Sequence, residues 1–214
     1  MMIKEKLNNF LAKKKKNKRK TKGQSLVEVA LTLPILLMLL SGLVELGFML
    51  NYYLSLVDAS REVARLFSNY DHEYVDPNTG NSFYVSAAEQ VIVILEPSDT
   101  NDTTRKIKIR ENLVDPDKND DNEIIVSVYS ISGGNATLLN EHHWSGRQIS
   151  HFDETEVNNR IAGSAPNSGA LVVEIFYTYE EILKLPWMPM PDNKTMLYAY
   201  TFMPQSSSEP TPTP

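Results

Sequence analysis

The pattern of apolar and polar positions divides the chain sharply. Val29–Val44 is sixteen residues without a charge, ten of them Leu, Ile or Val, and the apolar character reaches from Leu26 to Leu46 when the ends are counted. A membrane-crossing helix needs about 20 residues at ~1.5 Å rise each, so the run is long enough. Its ten branched aliphatics favour insertion by roughly 3–6 kcal/mol. Pro34 falls in the N-terminal third of the run, where a local kink is tolerated. Apolarity on every face argues against a buried helix of a soluble core.

Beyond Glu45 the pattern becomes one-sided. Leu50, Leu54, Val57, Arg61 and Ala64 follow spacings of three and four without a proline, which predicts that the helix continues to Phe67. Asp58/Arg61 and Glu62/Arg65 are opposite-charge pairs at i, i+3. The expected helix, Gln24 to Phe67, would be about 66 Å long. Asn51-Tyr52-Tyr53 is expected at the outer interface, which favours tyrosine rings.

After this helix the sequence is mostly polar, with short apolar runs. Asp76-Pro77-Asn78-Thr79-Gly80 predicts a turn. Phe83–Leu95 mixes helical and strand-like signals and is read as one short helix ending before Pro97. Strands are predicted at Arg105–Arg110, Glu123–Ser130, Ala170–Tyr179 and Thr195–Met203, with a turn at Ser132-Gly133-Gly134-Asn135. Residues 111–122 and 140–169 are long and polar and read as mobile loops. Strands that follow one another without regular βα alternation imply an antiparallel sheet, so the fold class is α+β: one long N-terminal helix with a small sheet head. The expected organisation is a leader 1–23, a transmembrane helix 24–46, its extension 47–67, an external α+β domain 68–203 and a disordered Ser/Pro/Thr tail 204–214.

Charge gives the anchor a direction. Residues 1–23 hold ten bases (Lys4, Lys6, Lys13, Lys14, Lys15, Lys16, Lys18, Arg19, Lys20 and Lys22) against Glu5, a net of +9, while the remainder carries 11 bases and 26 acids, a net of −15. The overall −6 conceals this asymmetry. A basic block beside a span stays cytoplasmic, so the head is expected outside and the protein in the cell membrane as a single-pass chain. Anionic lipid head groups are the simpler partner for these lysines, and nucleic acid is not expected. No Ala-x-Ala follows the apolar run, so a cleaved secretory signal is disfavoured and the anchor is read as retained.

Gly23-Gln24-Ser25-Leu26-Val27-Glu28 stands where the basic leader meets the apolar run. With Leu33-Pro34, Val44-Glu45-Leu46-Gly47 and Asp58-Ala59-Ser60-Arg61-Glu62-Val63-Ala64-Arg65, it resembles the TadE-like family, the minor pseudopilins of tight-adherence (Flp-type) pilus systems. The resemblance covers roughly residues 22–66. It implies a pilin-like fold, a role in pilus assembly and cell adhesion, and partners among other pilins, pseudopilins and the assembly platform. It also implies processing by a prepilin peptidase that cuts after Gly23 and leaves Gln24 as the new N-terminus. The aromatic that often follows the glutamate in this family is Val29 here. In physical terms Gly23 offers an unbranched, extendable backbone to a protease. Glu28 would lie in the first turns of the mature helix, where the helix dipole favours an anion, and could neutralise a neighbouring subunit's α-amine. Pro34, Glu45, Arg61 and Arg65 are the further candidates for packing and assembly.

Other chemistries find little support. There is no cysteine, hence no disulfide, thiolate or Cys-based metal site. His142, His143 and His151 lie near acids in a stretch read as a solvated loop, but adjacent histidines on an extended chain point apart and no His-Glu-x-x-His occurs. Asp115, Asp117, Asp120 and Asp121 lack the glycine and glutamate of an EF-hand loop. No phosphate loop or nucleophile elbow is found, so no enzyme activity, cofactor or metal is expected. Asn101, Asn135 and Asn193 begin short glycosylation-type sequons. Two alternatives stay open beside the pseudopilin reading: an uncleaved anchor with an external binding module, and an anchored metallohydrolase using the three histidines.

Overall fold

Residues 2–96, 107, 109, 121–161, 167–187 and 194–205 are described in the computed structural model, with backbone alone before Gly23. Helix α1 runs Met2–Phe67, α2 Phe83–Leu95, strand β1 Glu123–Ser132, β2 Asn135–His143, helix α3 Glu154–Ile161, β3 Ser168–Glu180 and β4 Lys194–Pro204. The architecture is α+β, with a long apolar N-terminal helix and a four-stranded antiparallel sheet in the order β2-β1-β3-β4. Helix α1 starts well before the expected Gln24 and ends at the expected Phe67. Its leader is rich in Lys and free of proline, so helix is not opposed there, and Gly23 alone costs only ~1 kcal/mol.

The chain divides into two compact units, Met1–Gly47 with Leu183–Met188, and Phe48–Ile182 with Pro189–Pro214. In the second unit the sheet is covered on both faces. On one face Ile124, Val126, Val128, Leu171, Val173 and Ile175 pack with Leu56, Ala59, Val63, Ala64 and Phe67 of α1 and Ala87, Ala88, Val91 and Ile92 of α2. On the other, Tyr129, Ile131, Ala170 and Val172 pack with Phe152 and with Val157 of α3. Coverage on both faces explains why β3 is buried almost end to end, whereas β4, an outer strand, alternates.

Helix α2 keeps its expected limits, with Ser82 as N-cap accepting the Val85 N–H. Gly133 and Gly134, with φ of 57° and 80°, make the two-residue turn between β1 and β2 that pairs Ser132 with Asn135. Positive φ at both central positions is the type I′ requirement, which glycine meets without strain.

Three expectations are corrected. Residues 140–169 are not a structureless loop: they include the end of β2, the helix α3 and the start of β3. Two fully buried carboxylates organise the stretch between β2 and α3. Glu123 of β1 accepts from the Ser145 N–H at 2.8 Å, the Ser145 hydroxyl at 2.7 Å and the Arg147 N–H at 2.7 Å. Glu174 of β3 accepts from the His151 N–H at 3.0 Å, the Tyr198 hydroxyl at 2.7 Å and the Ser150 hydroxyl. Burial, and then the bond to Glu174, pushes the Tyr198 phenol well above its usual range.

The second correction concerns Arg105–Arg110. Only Ile107 and Ile109 of that stretch are described; both are buried and neither is in a strand. The third concerns Tyr52, which stacks on Tyr177 at 6.0 Å and meets Tyr179 edge-on at 5.2 Å, inside the aromatic packing of the second unit. The loop 111–120, the aspartates Asp115, Asp117 and Asp120, the sequon residues Asn101 and Asn193, and residues 206–214 of the tail lie outside the described residues. Pro204 and Gln205, expected in that tail, instead end β4 and lie buried, respectively.

Candidate processing and anchoring site

Gly23 lies within α1, is exposed, and has open space where a side chain would stand. Cutting a helix requires local unwinding, which glycine makes less costly by roughly 1 kcal/mol relative to alanine. One turn on, Gln24 Nε2 donates to Glu28 Oε1 at 3.4 Å, and the Thr32 hydroxyl donates to the Glu28 carbonyl at 2.9 Å. Glu28 is otherwise exposed, and the side chains from Leu26 to Leu40 are exposed on every face of the helix. Among the described residues this is the one helix long and apolar enough to cross a membrane. Pro34 is accommodated inside it.

Glu45 behaves differently from a flanking charge. It is wholly buried, and its Oε2 accepts the Leu183 N–H at 2.8 Å. The segment Leu183–Trp187 thereby lies against α1 within the first unit, and Leu183 and Trp187 line an apolar groove with Pro34, Leu37, Met38, Leu40, Ser41 and Val44. This segment was missed from sequence. Its signal is Leu183-Lys184-Leu185-Pro186-Trp187, an apolar run with a tryptophan between two strands.

In the second unit the stretch Asp58–Arg65 separates into two faces. Ala59, Ser60, Val63 and Ala64 are buried, the two alanines permitting close approach of α1 to the sheet. Ser60 and Thr201 of β4 share a buried hydroxyl hydrogen bond of 2.9 Å. Asp58, Arg61, Glu62 and Arg65 are exposed and line a surface groove with Ile94, Thr201 and Met203. Arg65 binds Glu62 through two nitrogens, at 2.7 and 3.1 Å. That hydrogen bond lowers the Glu62 carboxyl below its ordinary range and raises the Arg65 guanidinium.

His142 and His143 end β2 rather than lying in a solvated loop, whereas His151 is exposed in the connection before α3. His143, half-buried in β2, contacts Glu141 at 2.6 Å and the Gln148 carbonyl at 3.1 Å. His142 lies edge-on to Trp144, and burial lowers its pKa. The His151 ring rests on Phe176 and Tyr198. Among the described residues no three His, Asp or Glu side chains converge as metal ligands do.

Residues 23–65 match the family model of TadE-like protein. The segment is TadE-like. The match begins at the glycine of the candidate cleavage site and ends with Arg65, taking in Glu28, Glu45 and both faces of Asp58–Arg65. Neither a curated protein nor a solved structure matches the chain. The TadE-like segment and the single apolar helix together fit a membrane protein associated with a tight-adherence pilus, anchored by one span.

The Glu45 contact is directly testable. Replacing Glu45→Ala removes a buried acceptor and leaves the Leu183 N–H without this partner, a loss of roughly 1–3 kcal/mol. Hydrogen exchange on the detergent-solubilised protein is expected to speed up at Leu183 by about 5- to 150-fold. The amides of β3 are expected to keep their protection; if Leu183 exchanges at its original rate, the carboxylate does not hold the segment.

Proposed function

We propose that the protein is a membrane-anchored TadE-like minor pseudopilin that contributes to assembly of a tight-adherence pilus and is a substrate of a prepilin peptidase cutting after Gly23. The observation that carries this reading is the TadE-like match beginning where a +9 leader meets an apolar helix, with Glu28 five residues beyond the glycine. The leader lysines Lys13–Lys16, Lys18, Lys20 and Lys22 with Arg19 hold the N-terminus in the cytoplasm against anionic lipid. The sheet domain then faces outward. The protein acts by association, as a partner of other pilins and of the assembly platform, and its only enzymatic encounter is as a substrate.

The electrostatics of association follow from Glu28. A carboxylate exposed at the cytoplasmic end of an apolar helix is costly unless paired. The amine released at Gln24 of a neighbouring subunit supplies that partner, and Leu-rich faces supply the lateral contact. Arg61 and Arg65, exposed beyond the span, offer a second, polar contact to a neighbour. A retained leader is the alternative, favoured by the position of Gly23 inside a helix rather than in an extended strand; the chain would then be a permanent anchor for an external binding module.

The intact mass of the protein recovered from native membranes separates the two: a chain beginning at Gln24 is expected, and one still carrying Lys13–Lys16 overturns the processing. Glu28→Ala is expected to reduce several-fold the recovery of partner pilins with the membrane-integrated protein. Undiminished recovery contradicts the pairing role.

A further inference from the structure

The segment Leu183–Trp187 has a property that anchoring by one helix does not require. It links β3 to β4, yet it belongs to the unit formed by α1 up to Gly47, the apolar part of the helix. Leu183 and Trp187 expose 41% and 44% of their surface, and they do so beside exposed apolar residues of α1, as parts of one contiguous apolar patch rather than singly. They form one wall of a groove whose other wall is Pro34, Leu37, Met38, Leu40 and Val44. Along a helix, Pro34 to Val44 covers about 15 Å, half of a ~30 Å hydrocarbon core. The groove therefore reaches well below the level of Glu45.

We infer that Leu183–Trp187 is a second membrane-inserted segment, dipping into the outer leaflet beside the α1 span, with lipid acyl chains occupying the groove. The inference rests on the single-span reading above. Non-helical backbone at such depth is tolerated where it packs against protein that satisfies its polar groups, and this segment lies against α1 in the same unit. The Leu183 N–H is satisfied by Glu45. Pro186 has no N–H to satisfy. Lys184, exposed and at a positive φ of 47°, marks a sharp reversal, and its long side chain can carry its ammonium toward the head groups. Trp187 supplies the indole that bilayer interfaces favour. Glu45 thus has a role beyond packing: a carboxylate at the edge of the hydrocarbon is offset by the backbone it holds there. The occupant is lipid because the groove is continuous with a helix surface that is apolar all round and carries no charged residue from Val29 to Val44.

The test uses the full chain reconstituted into phosphatidylcholine vesicles brominated on the acyl chains. Flotation establishes that the protein is anchored. The Trp187 signal is the difference between the native chain and Trp187→Phe, which leaves Trp144 in both. A blue-shifted Trp187 emission that loses most of its intensity to acyl-chain bromine, and little to aqueous iodide, is the expected result. Floating protein whose Trp187 is quenched by iodide and spared by bromine overturns the insertion while leaving the anchor intact. Trp187 protected from both quenchers also overturns it, since protein, such as a second copy of the chain, then covers the groove. Protein that fails to float overturns the anchoring reading and this inference with it.

Discussion

Helix α1 has to satisfy two different surroundings, and the rest of the molecule follows from that constraint. From Leu26 to Leu40 it exposes apolar side chains on every face. From Leu56 onward only one stripe, Leu56, Ala59, Ser60, Val63, Ala64 and Phe67, is buried, and charged residues take the opposite side. The first pattern is stable only in hydrocarbon and the second only where a sheet covers the stripe. The change falls between Val44 and Leu56, within the TadE-like segment. That segment therefore specifies both an anchor and the seat of the head on its own helix.

Buried glutamates recur as organisers. Glu45, Glu123 and Glu174 are all fully buried, and each accepts a backbone N–H from a segment remote in sequence: Leu183, then Ser145 with Arg147, then His151. A carboxylate can serve several donors at once, and such charge-assisted bonds are about twice as strong as neutral ones. Without disulfides, this is how the chain orders long connections that have little apolar surface of their own. Charged side chains thus act here as fasteners of loops.

This also explains what the sequence did and did not reveal. The apolar run, the leader and the one-sided pattern after Leu50 act over many residues, so α1 and its end at Phe67 were legible. Strands β1, β3 and β4 were legible within about two residues because their cores are continuous apolar runs. Strand β2, Asn-Ala-Thr-Leu-Leu-Asn-Glu-His-His, is largely exposed and has no such run. Helix α3 is eight residues with Val157 as its one buried position. Both depend on partners far along the chain. The Leu183–Trp187 segment was illegible for the same reason, since its meaning comes from Glu45. Of the candidate site, Gly23 and Glu28 are named from their place where the basic leader meets the apolar run and from the family resemblance, whereas the inward role of Ser60 and the burial of Glu45 needed tertiary structure.

The proposed topology is a single span with a cytoplasmic N-terminus and an external head. Because the chain has no cysteine, one introduced thiol reports topology without background. Asn78 is exposed in the turn before α2, and its backbone N–H donates to Asp76 Oδ1 at 2.9 Å, a bond that a cysteine at this position keeps. Asn78→Cys should therefore leave the head intact. A membrane-impermeant maleimide applied to cells whose cytoplasmic membrane is sealed but accessible from outside should label it fully, with no gain on permeabilisation. Labelling that appears only after the membrane is opened would place the head inside and contradict the account.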